Sequence, residues 1–257
     1  MLFRSPLSFQ PSEFAKPAVI LFLARTISRR EKKKKGMLEL FRTLVLILPI
    51  VGLVGTSNLS TAVIILGIAV ILVFVSSPFY LPFVGLFGAG AGFMGIFLGL
   101  ESYRLERIAI WRDPERYEKG FQTIQGLYAI GSGGLFGTGL GGSIQKLGFV
   151  PEAQNDMIFS IICEELGLVG AGILLLLFLV LIWRFFLVSV HAPDLLGSLI
   201  AAGVMGHISI QVILNVAVVT NTIPNTGITL PFVSYGGTSI LFLLAEMGLV
   251  LGISRKC

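Results

Sequence analysis

Long apolar runs separated by short polar connections occupy most of the chain. A helix needs about 20 mainly apolar residues to cross a bilayer. By this measure the sequence predicts seven membrane-spanning helices, near residues 11–28, 40–55, 59–77, 79–100, 157–188, 195–219 and 228–253. At about 1.5 Å per residue the fifth run exceeds the bilayer thickness. We therefore expect it to tilt, protrude or bend at Gly167, Gly170 or Gly172.

The predicted fold class is an all-α polytopic membrane protein. We expect a single membrane domain over residues 1–257, with one large loop at 101–156. Composition agrees, because 54% of the 257 residues are hydrophobic and only 13% are charged, against about 25% charged in a soluble domain. This excludes a disordered chain and a soluble surface. Two cysteines are too few for a disulfide framework or a zinc cluster.

Basic residues cluster at the connection after the first apolar run, including Arg25, Arg29 and the run Lys32–Lys35. Because cytoplasmic connections carry excess Lys and Arg, this connection is predicted to be cytoplasmic. Alternation then places the loop 101–156 outside the cytoplasmic (inner) membrane and the C-terminus inside. The loop is itself basic, a partial conflict, but long loops translocate largely regardless of charge. The net charge of +5 thus indicates membrane topology, and no nucleic-acid partner is predicted.

Two ionisable residues lie in the first predicted span. Glu13 and Lys16 are three residues apart, so they share a helix face and can pair. The pair could simply neutralise itself and fix the helix register, or it could form the floor of a polar cavity. Ionisable residues at membrane depth usually face a cavity or bundle interior, which favours the second interpretation.

The large loop begins with alternating basic and aromatic residues, among them Arg104, Arg107, Trp111 and Arg112. This pattern is typical of a segment on a lipid headgroup surface. The arginines could be ordinary interfacial anchors, or they could hold phosphates of a lipid-linked substrate. Their spacing does not separate these two interpretations.

A glycine cluster follows, in which Gly137, Gly139 and Gly142 match G-x-G-x-x-G. A dinucleotide site is excluded because no βαβ unit surrounds the motif. We expect these glycines to permit tight turns or a close backbone approach to a ligand.

Asp156 stands at the predicted start of the long fifth span. It could be an N-cap that accepts a free backbone N–H, or a general base at the outer membrane face. Composition alone favours the cap. The last connection, residues 222–237, combines two prolines with glycines in an apolar region, which predicts a broken or re-entrant helix.

Taken together, several blocks resemble the SEDS family (FtsW, RodA and SpoVE), in family order and over nearly the whole chain. They are Gln10–Glu13 with Lys16, Tyr103-Arg104 with Arg107-Ile108, Asp113-Pro114, Gly120–Gln122, Ala129–Gly134, Gly137–Lys146, Pro151–Asp156, Glu164–Gly167 and Gly227–Gly237. The pair Asn155-Asp156 is closest to the FtsW/SpoVE branch. The family has about ten spans and the predicted seven match its last seven, so the resemblance implies a chain without the N-terminal spans. Asn58 replaces an aspartate common in the family.

The resemblance implies a peptidoglycan glycosyltransferase that polymerises lipid II at the outer membrane face. The implied partners are a class B penicillin-binding protein and other divisome or elongasome membrane proteins. By resemblance Asp156 is the general base. One carboxylate suffices for this role, because diphosphate is a good leaving group when its charge is stabilised. The implied substrate or cavity residues are Glu13, Lys16, Arg104, Arg107, Arg112, Gln122, Lys146, Ser234, Gly236 and Gly237.

No organic cofactor is implied, although a divalent cation (Mg or Mn) could assist at the diphosphate. No side-chain cluster in the sequence predicts a metal site, and His191 and His207 are assigned to none. Two other functions fit the same pattern. Intramembrane charge and broken helices equally suit a lipid II flippase, and a non-catalytic scaffold could activate a penicillin-binding protein. A role in division, elongation or sporulation is left open.

Overall fold

The computed structural model describes residues 10–30, 45–77 and 102–257. Every regular element in these ranges is helical, which confirms the all-α class. The predicted span 79–100, the start of the predicted span 40–55 and the basic run Lys32–Lys35 lie outside the described residues.

Eight α-helices are described, joined by turns and short 3-10 segments. They are α1 (Pro11–Arg30), α2 (Leu48–Ser57), α3 (Leu59–Ser76), α4 (Ser102–Arg112), α5 (Phe121–Gly133), α6 (Ile158–His191), α7 (Leu195–Val219) and α8 (Gly237–Ser254). The 3-10 segments are Pro114–Arg116, Glu118–Gly120 and Gln145–Leu147.

Four of the described helices, α3, α6, α7 and α8, are long and apolar enough to cross a membrane. The predicted span 228–253 is wrong at its start, because α8 begins only at Gly237. Gly227 has a left-handed φ of 68° and Phe232 one of 63°, so the chain from 220 to 236 turns instead of continuing a helix. The break in the helix was predicted, but the predicted broken or re-entrant helix at 222–237 is instead turns and irregular backbone.

The remaining predicted spans have mixed outcomes. The first forms α1, whose 20 residues carry charged side chains near both ends. In the predicted span 40–55 the described part contains only the ten-residue α2. Pro49 lies in the first turn of α2, where its missing N–H is tolerated. Asn58 then caps α3, because its Oδ1 accepts a hydrogen bond from the N–H of Thr61 at 3.1 Å.

The long helix α6 bends at one of the three glycines that the sequence offered as alternatives to a tilt or a protrusion. Its 34 residues include Gly167 at φ 68° and ψ −171°, far from helical values. Here the glycine loop 133–142 lies against α6. Thr138 and Gly139 donate backbone hydrogen bonds to the carbonyls of Glu164 and Glu165 at 2.9 and 3.0 Å. A Cβ at Gly137 would lie 2.1 Å from the Glu165 carbonyl oxygen. The glycines therefore allow a close approach to a helix of this chain, and the predicted approach to a ligand stays a prediction.

The chain divides into two compact units. The first comprises residues 1–77, 179–212 and 235–257. Its core joins α1, α3 and α7, and Ile20 and Leu72 both lie close to Gly203, where an added Cβ would be 2.7 Å from Ile20. Ile20 and Leu72 are fully buried, so the small residue lets the three helices approach closely.

A buried polar pair joins α7 to α8 inside the first unit. His207 Nδ1 lies 2.8 Å from Glu246 Oε2, and their side chains are 2% and 1% exposed. An isolated charge at such depth is costly unless it is paired. The pair therefore compensates part of the cost of burying the two groups, while His207 Nε2 and Glu246 Oε1 are buried without a hydrogen-bond partner among the described residues.

The second unit comprises residues 78–178 and 213–234. Its described part contains α4, α5, the glycine loop, the start of α6 and the connection after α7. Hydrogen bonds from side chains compensate the irregular backbone of that connection, as burial requires. The candidate chemistry of this unit centres on Asp156.

Candidate active site

Asp156 lies at the end of a series of turns that leads into α6. The helix begins at Ile158, so the N-cap position belongs to Met157. Asp156 lies one residue earlier, and the predicted N-cap role of Asp156 is wrong. The residue is only 7% exposed. A carboxylate thus sits in a nearly closed environment just outside a membrane-spanning helix.

A short series of hydrogen bonds reaches the carboxylate from α5. Gln122 Nε2 lies 3.5 Å from Asp156 Oδ1, at the long end of hydrogen-bond distance, and 3.4 Å from the Pro151 carbonyl. Gln122 Oε1 accepts from Asn225 Nδ2 at 3.2 Å, and Arg107 Nη1 donates to the Asn225 carbonyl at 3.1 Å. The predicted site residues Arg107 and Gln122 are therefore connected to Asp156.

The environment makes Asp156 a stronger base than an ordinary aspartate. Burial raises its pKa, because desolvation disfavours the charged form, and the nearby Glu152 carboxylate raises it further. The backbone amides of Asp156 and Met157 and the Gln122 side chain counteract part of this rise. A carboxylate with a raised pKa accepts a proton more readily from a hydroxyl group.

Asn215 holds the backbone of the site in place and was missed in the sequence. It is fully buried in α7, and its Nδ2 donates to the carbonyls of Asp156 at 2.8 Å and Ile228 at 2.6 Å. It thus joins the turn before α6 to the connection after α7. The available signal was a row of polar residues spaced by four in an apolar helix, His207, Gln211 and Asn215, since polar residues inside membrane spans are usually functional.

Ser234 performs a similar task at the other end of the connection. Its Oγ donates to the Asn155 carbonyl at 2.6 Å and accepts from the Leu230 N–H at 2.7 Å. The single hydroxyl proton is thereby used within the protein. Ser234 therefore positions the residue next to Asp156, and its predicted contact with substrate stays a prediction.

The arginines of the predicted headgroup segment lie on α4. Arg112 is exposed at the end of that helix. Arg104 lies on α4, but its side chain is outside the described residues. Trp111 Nε1 donates to the Asn221 carbonyl at 2.9 Å. Trp111 and Arg107 thus attach α4 to the connection after α7.

Lys146 belongs to a second cluster, in which acidic residues of α6 hold the glycine loop. Lys146 Nζ lies 2.6 Å from Glu165 Oε1, and Glu164 Oε1 accepts from the backbone N–H of Ile144 at 3.1 Å. Ser143 Oγ donates to the other Glu164 oxygen. Lys146 is therefore bound to Glu165 of α6, and no contact among the described residues brings it to Asp156.

Four predicted site residues belong to the first unit. Lys16 Nζ lies 2.8 Å from Glu13 Oε1, and the Lys16 side chain is 3% exposed. The predicted pairing is confirmed, while the predicted cavity role stays a prediction. Gly236 and Gly237 form the start of α8, where an added Cβ at Gly237 would meet no atom within 4 Å.

Carboxylates and imidazoles do not form a metal site in the part of the chain that the structure describes. No group of three or more His, Cys, Asp or Glu residues is arranged there to hold an ion. The carboxylate that influences Asp156 is Glu152, one residue on an exposed turn. This donor set does not fit a divalent cation held by protein ligands, so no proposed step depends on one.

The family model described as "Cell cycle protein", FTSW_RODA_SPOVE, matches residues 2–257 of the chain. The chain belongs to this FtsW/RodA/SpoVE family. Stage V sporulation protein E of Bacillus subtilis is 43% identical over 262 residues, covering 96% of this chain and 69% of the relative. The probable peptidoglycan glycosyltransferase FtsW of a Geobacter species is 34% identical, with coverage of 97% and 69%.

Solved structures of the same family share the fold. A peptidoglycan synthase complex, described as coordinating polymerization and crosslinking, contains a chain that is 31% identical with a TM-score of 0.81, covering 99% of this chain and 72% of that one. The rod shape determining protein RodA of Thermus thermophilus is 31% identical with a TM-score of 0.67, with coverage of 99% and 68%. The family predicted from the sequence is confirmed.

Proposed function

We propose that this FtsW/RodA/SpoVE protein is a peptidoglycan glycosyltransferase that polymerises lipid II, with Asp156 as general base. The observation that carries the proposal is the environment of Asp156. The carboxylate is 7% exposed and its pKa is raised by burial. Asn215 and Ser234 fix the adjacent backbone on both sides of Asp156. The FtsW relative from a Geobacter species is named as a probable peptidoglycan glycosyltransferase.

The proposed step joins two lipid-linked sugars. Asp156 accepts the proton of the 4-hydroxyl group of the acceptor sugar. At the same time the oxygen of this hydroxyl group attacks the anomeric carbon of the donor sugar. The bond from that carbon to the diphosphate breaks, and the lipid diphosphate leaves with the bonding electrons. An α-linked donor thereby gives an inverted, β-linked product. A single positioned base can supply about 10²–10⁴-fold of rate enhancement.

The leaving diphosphate needs positive charge nearby. We propose that the arginines of α4 provide it, with Arg107 the best supported because it already contacts the Asn225 carbonyl of the connected loop. Arg104 and Arg112 lie on the same helix. Glu13 and Lys16 are proposed as a charged pair that lines a membrane cavity.

The proposed location is the cytoplasmic membrane, with the loop 101–156 on the outer face and the C-terminus in the cytoplasm. The basic residues after α1 support this orientation by the positive-inside rule. We propose a class B penicillin-binding protein as partner, because a family structure belongs to a complex that couples polymerization to crosslinking. Such a partner would use the new strands as its substrate.

The test is polymerisation of labelled lipid II by the purified full chain with its penicillin-binding protein, comparing Asp156→Asn with Asp113→Asn. Asp113 is an exposed aspartate of the same unit whose side chain caps nothing. We expect Asp156→Asn to lower strand synthesis by at least about 10²-fold and Asp113→Asn to leave it within about twofold.

Other functions predict different results in the same samples. A flippase would lose lipid movement across the vesicle bilayer in Asp156→Asn and would make no strands in any form. A scaffold would keep strand synthesis by its partner in both variants. Strands from well-folded Asp156→Asn protein at the level of the unchanged chain contradict the proposal.

A further inference from the structure

A pocket of about 580 Å³ lies within the first unit, between the second half of α1 and the start of α7. Its lining residues are Leu21, Phe22, Arg25, Thr26, Arg29, Leu196 and Ile200. This volume is in the range of pockets that hold small organic ligands, about 300–1,000 Å³. No step proposed for Asp156 uses these residues.

The pocket has an apolar part and a cationic part. Leu21 and Phe22 are 40% and 46% exposed, which leaves apolar surface open in the pocket. Arg25 and Arg29 are four residues apart on α1, so their side chains emerge on the same face. A ligand that matches both parts has apolar chains joined to an anionic group.

The two guanidinium groups have no ion-pair partner among the residues that the structure describes. Across the pocket from α1 lies the start of α7, and the acidic residue nearest to it in sequence is Asp194. Its Oδ1 accepts a hydrogen bond from the Gly197 N–H at 3.2 Å. That carboxylate is therefore engaged at the start of α7. Arginine donors in a fixed fork bind phosphate with two parallel hydrogen bonds.

The depth of the pocket also suits a lipid. The 20 residues of α1 have a length of about 30 Å, close to the thickness of the hydrocarbon core, although its charged ends keep α1 out of the four helices that are apolar enough to span. Arg25 and Arg29 lie in its last two turns, and the proposed orientation puts these turns at the cytoplasmic face, where arginine side chains reach lipid headgroups. Basic pockets between helices on the cytoplasmic side commonly bind anionic lipid headgroups.

We infer that this pocket binds an anionic glycerophospholipid of the cytoplasmic leaflet. Arg25 and Arg29 hold its phosphodiester, and its acyl chains lie along Leu21, Phe22 and Ile200. The site goes beyond glycosyl transfer and does not depend on the role of Asp156, while its place in the cytoplasmic leaflet rests on the proposed orientation of the chain.

The experiment is native mass spectrometry of the purified full chain after exchange into equal amounts of phosphatidylglycerol and phosphatidylcholine. We expect the chain to retain about tenfold more phosphatidylglycerol, the ratio that corresponds to 1.4 kcal/mol. Arg25→Gln/Arg29→Gln should lose this preference. Arg184→Gln, which removes an exposed arginine of the same unit outside the pocket, should keep it.

Two further variants separate the pocket from its charge. Thr26→Trp and Leu196→Trp fill the pocket from opposite helices and keep both arginines, so we expect each to lose phosphatidylglycerol. If the Arg25→Gln/Arg29→Gln variant does not fold, the two tryptophan variants still test whether phosphatidylglycerol binds in this pocket. The unfolding temperature of each variant is measured alongside.

Four results overturn the inference. They are equal retention of both lipids by the unchanged chain, an equal loss in Arg184→Gln, full retention in the tryptophan variants, and a lipid-free dimer that Arg25→Gln/Arg29→Gln dissociates. The last result would assign the pocket to a second copy of the chain.

Discussion

At the scale of single residues, the account depends on why one buried carboxylate is tolerated beside a membrane span. Asp156 loses most of its solvation, and within the described part of the chain a long hydrogen bond from Gln122 and bonds from the backbone amides of Asp156 and Met157 compensate for this loss. The ionised form is thus less favoured than in water, which suits a group that must gain a proton during the reaction.

This environment predicts a pH dependence of glycosyl transfer. Because the base must be ionised, kcat/KM should fall as the pH drops through the raised pKa of Asp156. Glu152→Gln removes a carboxylate that raises this pKa, so the acidic limb of the profile should move to lower pH. The measurement is initial polymerisation rate against pH. Glu118→Gln, an exposed glutamate of the same unit, should leave the limb in place, and an unmoved limb in Glu152→Gln would count against Asp156 as the titrating group.

Asn215 provides a second prediction at this scale. Asn215→Leu removes the donor that serves the Asp156 and Ile228 carbonyls. Leaving such buried groups unpaired should lower the free energy of unfolding by roughly 1–3 kcal/mol. Thermal unfolding in detergent measures this, with the exposed Gln154→Leu as a control that should change it little. Equal stability of the two variants would mean that the hydrogen bonds of Asn215 to the Asp156 and Ile228 carbonyls do not stabilise the fold.

At the scale of elements, the glycine loop is fixed to the bend of α6. Gly137 and Gly141 have similar left-handed φ values, 78° and 82°, but they differ in the available space. A Cβ at Gly137 would lie 2.1 Å from a backbone oxygen of Glu165, whereas one at Gly141 would meet nothing within 4 Å. An alanine at Gly141 therefore tests backbone strain alone, whereas an alanine at Gly137 tests backbone strain together with a steric clash.

We expect Gly141→Ala to destabilise the protein by about 1–2 kcal/mol, the cost of a left-handed conformation. Gly137→Ala should cost about 1–3 kcal/mol more through overpacking. Unfolding temperature and the rate of proteolysis within residues 133–149 measure the difference. Equal effects of the two substitutions would show that the loop does not need its close contact with α6.

Elements with one strong local signal could be predicted from the sequence, and those defined by tertiary contacts could not. The apolar runs of α3, α6 and α7 were predicted correctly, and a bend at Gly167 was one of several alternatives for the long fifth run. The start of α8 was not, because hydropathy does not register the turns around Gly227 and Phe232.

The site residues likewise divide into those with a local sequence signal and those defined by tertiary contacts. The Glu13–Lys16 pair followed from helical spacing alone. The partners of Lys146 and Ser234 are 19 and 79 residues distant in sequence, beyond any local pattern. Asn215 was missed although His207, Gln211 and Asn215 repeat every four residues on one face of α7, because this spacing shows a shared face and does not show which backbone groups the amide contacts.

At the scale of the whole molecule, orientation decides whether Asp156 can meet a lipid-linked substrate on the outer face. A Gln154→Cys variant places a thiol on an exposed position two residues before Asp156. Of the native cysteines, Cys257 is exposed and Cys163 is buried. We expect a membrane-impermeant maleimide to label the introduced thiol in intact protoplasts, and Cys257 only after permeabilisation. Labelling of Cys257 in intact protoplasts would reverse the proposed orientation.

The central claim, that Asp156 is the base of a polymerising enzyme, is tested most directly by measuring strand yield and unfolding temperature on the same samples of the full chain and Asp156→Asn. The neutral amide avoids the desolvation of a buried charge. The account therefore predicts an equal or higher unfolding temperature for Asp156→Asn together with loss of glycan strands. Strand synthesis that persists in this folded variant would contradict it.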